Sequence, residues 1–219
     1  MTASGSGTGQ PTPKRVKVVG RALNDAVARA PWVAPLIKWP IRRYFDRLAR
    51  GWDERTSAGS VEHLAALAAG LMHVTPAPER ALDIGTGTGE AALLLAREFP
   101  QARIRGVDIS AEMIGIAKAK VGLDPEGRLA FKVADAATLP WDDGSFDLVA
   151  QLNMPPFFAE IARVLRPRGS VVIASSWGED TPFYTSDRTL MRGFARHRIT
   201  RHVAGGAASG TYWVGRKAT

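Results

Sequence analysis

ALDIGTGTGE, residues 81–90, decides the fold. An apolar run reading as a buried strand ends in Gly85, Gly87 and Gly89, and Glu90 then opens a stretch of helical spacing. Glycines at such a junction let backbone amides at the helix start approach a ligand, because no side chain stands in the way. A loop of this kind accepts a pyrophosphate or an amino-acid carboxylate equally well, so its neighbours must decide between them.

On the downstream side, apolar runs alternate with helical stretches, the pattern of a parallel sheet covered by helices on both faces. Strands are predicted at Arg80–Ile84, Arg103–Asp108, 129–134, Phe146–Leu152 and 170–175, with helices at Glu90–Glu98, 111–121 and 157–165. A helix at 187–197 then precedes two β-like runs, 199–204 and 211–216, joined by GGAASG, which reads as a terminal antiparallel hairpin. Upstream, residues 1–13 are rich in Gly, Ser, Thr and Pro and read as a disordered tail. A helix is expected from Lys14 to Ala30, ended by Pro31. After PWVAPLIKWP a second is expected with Ile41, Tyr44, Phe45, Leu48, Ala49 and Trp52 on one face and Arg42, Arg43, Arg47 and Arg50 on the other. A third covers Val61–Leu71. The expected organisation is thus a tail at 1–13, a helical cap at 14–79 and a sheet domain at 80–219.

Three acids narrow the ligand. Asp83 precedes the glycines, where its carboxylate would help hold a cationic amino group and would repel a pyrophosphate. Asp108 ends the next strand, 19 residues after Gly89, the offset expected of an acid that accepts from ribose hydroxyls. Ile109 and Met113 follow it and would pack against an adenine. Asp135, in KVADAATLPW, stands at the end of the third strand, where it would accept from an adenine amino group. Singly, Asp108 reads as a helix cap and Asp135 and Gly89 as turn residues. Jointly they fall at successive strand ends, where open parallel sheets bind ligands. The residues expected to form this site are Asp83, Gly85, Thr86, Gly87, Gly89, Asp108, Ile109, Met113, Asp135, Ala136 and Gln151.

ALDIGTGTGE, IRGVDISAEMIGIAKAK, VADAATLPWDDGSFDLV and FFAEIARVLRPRGSVVIAS resemble the successive motifs of the class I, Rossmann-like S-adenosylmethionine-dependent methyltransferases, and YFDRLARGWDER resembles the entry helix of their quinone-biosynthesis and small-molecule branch. The resemblance implies a doubly wound α/β fold with a seven-stranded, mostly parallel sheet whose last strand is antiparallel. It also implies S-adenosylmethionine as methyl donor and S-adenosylhomocysteine as product. Trp52 and Asp53 stand where that family often has Tyr-Asp beside the cofactor. Two departures stand out. RVLRPRG carries Arg168 where relatives have the first of two glycines, so the turn must suit a residue with a Cβ. QLNMPPFF carries Gln151, Asn153, Pro155 and Pro156 where many relatives have a histidine, which removes the obvious base.

For the chemistry, Asn153 is the one candidate, as a group orienting substrate or methyl donor. NMPPF is similar to the NPPY-type motif of nucleobase amino-group methylation, but Met154 separates Asn153 from the prolines, so PPFF reads as helix entry and core packing. His63, His73, His197 and His202 lie outside the motifs and none is nominated. No metal site is expected, because the fourth strand ends in Gln151 and Asn153 without the acidic cluster magnesium prefers.

Composition bounds the rest. The chain has 219 residues, 45% of them hydrophobic, enough for one domain with modest appendages. The absence of cysteine rules out disulfides and thiolate chemistry. No apolar run is long enough to span a bilayer and no signal peptide is evident, so a cytoplasmic location is expected. Of the +8 net charge, residues 1–55 carry +7, residues 56–187 carry −6 and residues 188–219 carry +7. An anionic partner would therefore meet the ends. Trp32, Trp39, Tyr44 and Phe45 interleave with Lys38, Arg42 and Arg43, which suits either a cap over an acceptor pocket or peripheral contact with an anionic membrane. The expected reaction is methylation of a small, lipophilic or quinone-like acceptor. The alternative is a non-catalytic cofactor-binding or RNA-associated module using the basic termini.

Overall fold

The computed structural model describes residues 34–124 and 126–219. The expected tail, the helix from Lys14 to Ala30 and Trp32 lie outside the described residues. Alternation along the strands sends one set of side chains to each face of a central sheet. Ala81, Ile104, Leu148, Ala150, Val172, Ala174 and Val214 face one way. Leu82, Val107, Val149, Val171, Ile173 and Trp213 face the other. The first face is covered by α3 (Val61–Leu71), α4 (Glu90–Glu98) and α5 (Ala111–Lys120), the second by α6 (Phe158–Val164) and α7 (Asp187–Ala195).

The strands are β1 (Arg80–Ile84), β2 (Arg103–Asp108), β3 (Leu129–Val133), β4 (Phe146–Leu152), β5 (Leu165–Ser175), β6 (Ile199–Ala207) and β7 (Gly210–Lys217), in the order β3-β2-β1-β4-β5-β7-β6. β1 to β5 are parallel, and β7 lies antiparallel between β5 and β6. This is the doubly wound, seven-stranded arrangement expected from the sequence. Strand order reverses between β1 and β4, so a crevice opens above their carboxyl ends, the usual ligand position in such sheets. Phe194 anchors the second face: its ring stacks on Trp213 at 5.1 Å and meets Phe158 edge-on at 4.8 Å.

The upstream helices depart from expectation. α1 spans Ala34–Leu48 and begins before the sequence pattern suggested, with Pro40 inside it. Pro35 lies in the first turn, whose amides lack intrahelical partners, so it costs no bond there. Tyr44, expected on the apolar face, is 55% exposed. Ile41 and Phe45 point inward, while Arg42, Arg43, Arg47 and Trp39 (64% exposed) point to solvent. After Gly51 at φ 66 comes α2 (Trp52–Thr56). α3 falls within the residues expected as cap, yet it packs flat on β5 and β7 through Ala66, Leu67 and Leu71. Only its first turn reaches the crevice.

β5 is longer than expected. It starts at Leu165, and the departure from the paired-glycine pattern is resolved by Arg168 adopting φ 65. Gly169 next to it has no alternative, because a Cβ there would come within 3.0 Å of the Asp147 and Arg166 carbonyls and of Leu165.

Candidate active site

The crevice is a cavity of about 720 Å³, within the range that holds a small-molecule ligand. Its floor is the loop after β1. Gly85, Gly87 and Gly89 take φ 74, 53 and 94, a region unfavourable to residues with a Cβ. A Cβ on Gly85 would stand 2.1 Å from the Met154 sulfur, so the thioether and the loop backbone share one small space. Around Gly87 nothing lies within 4 Å, so its backbone is open to a ligand. The Gly85 and Thr86 amides donate to the Val107 carbonyl at 2.8 and 2.9 Å, which fixes the loop on β2.

Asp108 ends β2 and faces the cavity. Its Oδ2 accepts from the Gly87 amide at 3.0 Å and its Oδ1 from the Ser110 amide at 2.9 Å. Each oxygen keeps a second lone pair for a ligand hydroxyl. Burial raises its pKa, against the lowering effect of the Ser110 and Gly87 amides. The cap of α5 is Ser110, whose Oγ accepts from the Met113 amide at 3.1 Å, so Asp108 is not the helix cap. Asp135 lies two residues beyond the end of β3, in a turn closed by the Ala137 amide donating to its Oδ1 at 2.9 Å.

Nine of the predicted residues share the wall of this cavity: Gly85, Thr86, Gly87, Asp108, Ile109, Met113, Asp135, Ala136 and Asn153. Asp83, Gly89 and Gln151 do not reach the cavity surface. Gln151 is fully buried, with Nε2 donating to the Pro155 carbonyl at 3.4 Å and Oε1 without a partner among the described residues. Asp83 is 1% exposed and stands in register with Gly106 and Ala150, on the face beneath the first turn of α4. Burial pushes its carboxyl up to about 7, while the Thr86 hydroxyl and Ala92 amide lie close enough to lower it without reaching hydrogen-bond geometry. Among the described residues both Asp83 oxygens and Thr86 Oγ1 are buried behind the glycine loop without a hydrogen-bond partner. What a polar ligand in the cavity would meet is the open Gly87 backbone beside the Asp108 oxygens, a cradle that suits such a ligand.

The roof comes from the upstream helices. Asp46 of α1 accepts from Ser110 Oγ at 2.6 Å, and Asp53 of α2 accepts from Thr88 Oγ1 at 2.5 Å. Lys120 at the end of α5 pairs with Asp53 at 2.5 Å and with Glu90 at 2.7 Å. Its burial alone would lower the ammonium pKa, but the two carboxylates outweigh that and raise it.

His63, Thr88, Met154, Trp177 and Phe183 also line the cavity, and sequence reasoning nominated none of them. The loop after β5 could have been found from the rule that ligands sit beyond carboxyl strand ends. Nothing in the sequence marks His63, since only folding brings the first turn of α3 to the crevice. A chain of hydrogen bonds holds it there. Asn153, at φ 56, donates through Nδ2 to Ser176 Oγ at 2.9 Å and accepts from the Ser176 amide at 2.8 Å. Ser176 Oγ in turn donates to the His63 carbonyl at 2.7 Å. Asn153 thereby joins the ends of β4 and β5 to α3, and its side-chain amide is committed to that join.

Comparison with known proteins agrees with this geometry. Residues 81–169 match the family model described as a methyltransferase domain. The chain is 33% identical over 170 residues to a demethylmenaquinone methyltransferase of Deinococcus radiodurans, covering 74% of this chain and 65% of that protein. It is 38% identical over 137 residues to an O-methyltransferase of Penicillium expansum, covering 59% of this chain and 43% of that protein. The chain therefore spans less than two thirds of either relative's length. Among solved structures, a methyltransferase from Haloferax volcanii in complex with the Trm112 activator superposes with a TM-score of 0.66 at 21% identity, covering 80% of this chain and 98% of that one. The matched segment, which carries the glycine loop beneath the cavity and the sheet from β1 into β5, is thus similar to a methyltransferase domain, and the seven-stranded sheet has the fold of the methyltransferase it superposes on.

Proposed function

We propose that the protein transfers the methyl group of S-adenosylmethionine to a small, largely apolar acceptor. The observation that carries this reading is the convergence of an open glycine cradle, Asp108 and Asp135 on one cavity above the switch point. The donor supplies an electrophilic sulfonium methyl when bound. Gly85–Gly87 present backbone to its methionine portion, Asp108 accepts from the ribose hydroxyls, and Ile109, Met113 and Ala136 enclose the adenine beside Asp135. Asp83 acts on the donor's ammonium from behind the loop, through its field rather than by direct contact. The acceptor lies toward Phe45, Trp52, Trp177 and Phe183, under the roof of α1 and α2, where exclusion of water and positioning supply much of the rate. An apolar, quinone-like molecule suits that wall.

Calorimetry with S-adenosylmethionine and S-adenosylhomocysteine tests the reading. Micromolar binding is expected for both, and the absence of binding refutes it.

A second surface carries a reading of its own. Trp39 and Tyr44 stand exposed among Arg42, Arg43, Arg47 and Arg50, with the Arg43 guanidinium 4.6 Å from the Trp39 ring centre. Aromatic and arginine side chains on one outer helix face suit a peripheral contact with anionic lipid headgroups. No helix among the described residues is long and apolar enough to cross a membrane. Co-sedimentation with vesicles containing phosphatidylglycerol, but not with phosphatidylcholine alone, is the expected result. Salt-sensitive retention of RNA on filters without lipid binding would favour the nucleic-acid alternative.

A further inference from the structure

His63 is 8% exposed and lines the cavity, and its Nδ1 is buried without a hydrogen-bond partner among the described residues. A buried imidazole nitrogen without a partner is costly unless a ligand supplies one. Its position favours the acceptor as that ligand. In the sheet order, β4 separates the β1–β3 ends, where the donor loop and Asp108 lie, from the β5 end that carries Ser176 and Trp177. His63 is bound to the β5 side through the Ser176 hydroxyl and meets the Trp177 ring edge-on at 6.5 Å. Its surroundings also select the acceptor's charge. Glu90 from α4, Glu62 from its own helix and Asp180 from the loop after β5 line the same cavity, Asp53 from α2 stands near enough to act on the ring, and Lys120 is shared by Asp53 and Glu90, while the cation on the wall, Arg55, is exposed and donates to the Leu48 carbonyl. An acceptor arriving as an anion, a carboxylate or a diphosphate, would be repelled.

We infer that His63 is the general base of the reaction and that the acceptor is a neutral aromatic hydroxyl compound, a phenol or hydroquinone, ionised only once it lies against this imidazole. This rests on the methyltransferase reading above. In the step, the acceptor O–H bond breaks and its proton passes to His63. The oxygen electron pair forms the bond to the methyl carbon, the carbon–sulfur pair stays on sulfur, and the imidazolium later returns its proton to water. Burial lowers the pKa of His63, an effect that Glu90 and Asp53 only partly oppose. The ring is therefore neutral and able to accept at pH 7.

The test uses the full-length protein with ¹⁵N-labelled histidine, saturated with S-adenosylhomocysteine. The His63 ring signals are assigned by their loss in His63→Gln, a change tolerated at the third position of a helix capped by Ser60. Two probes of nearly equal shape are added: 2-naphthol, which has the hydroxyl, and 2-methylnaphthalene, which lacks it. The expected result is that only 2-naphthol moves the His63 ring nitrogens, and that His63 titrates below pH 6.5 without it. Equal shifts with both probes, or none with either, overturn the inference. Where 2-naphthol is methylated, His63→Gln should slow release of S-adenosylhomocysteine by at least about 100-fold, with unchanged affinity for S-adenosylhomocysteine and without the pH step of His63. A variant with unaltered rate and pH profile overturns it equally. Failure of S-adenosylhomocysteine to bind the unmodified protein refutes the methyltransferase reading instead, so the two failures are distinguishable.

Discussion

Asp83→Asn should make the ligand-free protein more stable, and increasingly so as pH rises. The Asp83 carboxyl is raised from 3.8 to about 7 by burial beneath the glycine loop. A carboxyl with a raised folded-state pKa binds more protons folded than unfolded, so folding stability falls as pH climbs from about 4 to about 7. At about 1.4 kcal/mol per unit, the penalty is about 1.5 kcal/mol at pH 5 and about 4 kcal/mol at pH 8. Asparagine, close to isosteric and never charged, has no such pH dependence. Any fixed cost of placing its amide there cancels when two pH values are compared. Relative to the unmodified protein, the variant should therefore gain about 2.5 kcal/mol between pH 5 and pH 8, or roughly 5–10 °C in Tm for a chain of this size. Paired urea or thermal denaturation at the two pH values measures it. Binding of S-adenosylhomocysteine should weaken in the same variant, and in the unmodified protein it should release a proton near pH 7, seen as a buffer-dependent binding enthalpy. A stability difference that is flat or shrinks toward pH 8 would show that the desolvation argument for Asp83 is wrong.

Three further outcomes are expected. If the donor lies as proposed, Asp108→Ala removes the acceptor of two ribose hydroxyls, each charge-assisted bond being worth about 1.5–3 kcal/mol, so affinity for S-adenosylhomocysteine by calorimetry should fall at least about tenfold. Gly85→Ala should destabilise the protein by about 1–3 kcal/mol in denaturant titrations, because its φ is 74 and its new methyl would collide with Met154. Shortening Met154 to Ala alongside it should relieve only the collision. Arg168→Gly should stabilise by about 0.5–1 kcal/mol, measured by thermal melting, because Arg168 holds φ 65 with no hydrogen bond or ion pair among the described residues to compensate.

The strands were legible because a buried parallel strand is written as a short apolar run between glycines and acids, and each such run recurs in the sheet. Asp108 was legible for a related reason: its distance from Gly89 is set by one helix and one strand of ordinary length. Asp83 and Gln151 show the limit of that logic. Sequence places them at strand ends, but only side-chain packing tells whether a carboxyl faces the ligand or the helix above, and Asp83 turns toward α4. The extent of α1 escaped because prolines were read as breaks, whereas Pro35 lies in the first turn, where a missing amide is harmless, and the helix carries Pro40 inside it at the loss of one bond. His63 was invisible since its place at the cavity comes from the Asn153–Ser176 link, whose residues lie 90 and 113 positions further along the chain.

Lys120 gives the roof a property that neither α1 nor α2 possesses alone. One ammonium serves a carboxylate on the roof and a carboxylate on the core, so lifting α2 cannot leave both satisfied. Were α2 to lift, the departing Asp53 would have to take a cation from solution in place of Lys120, an ion exchange whose cost depends on the salt around the protein.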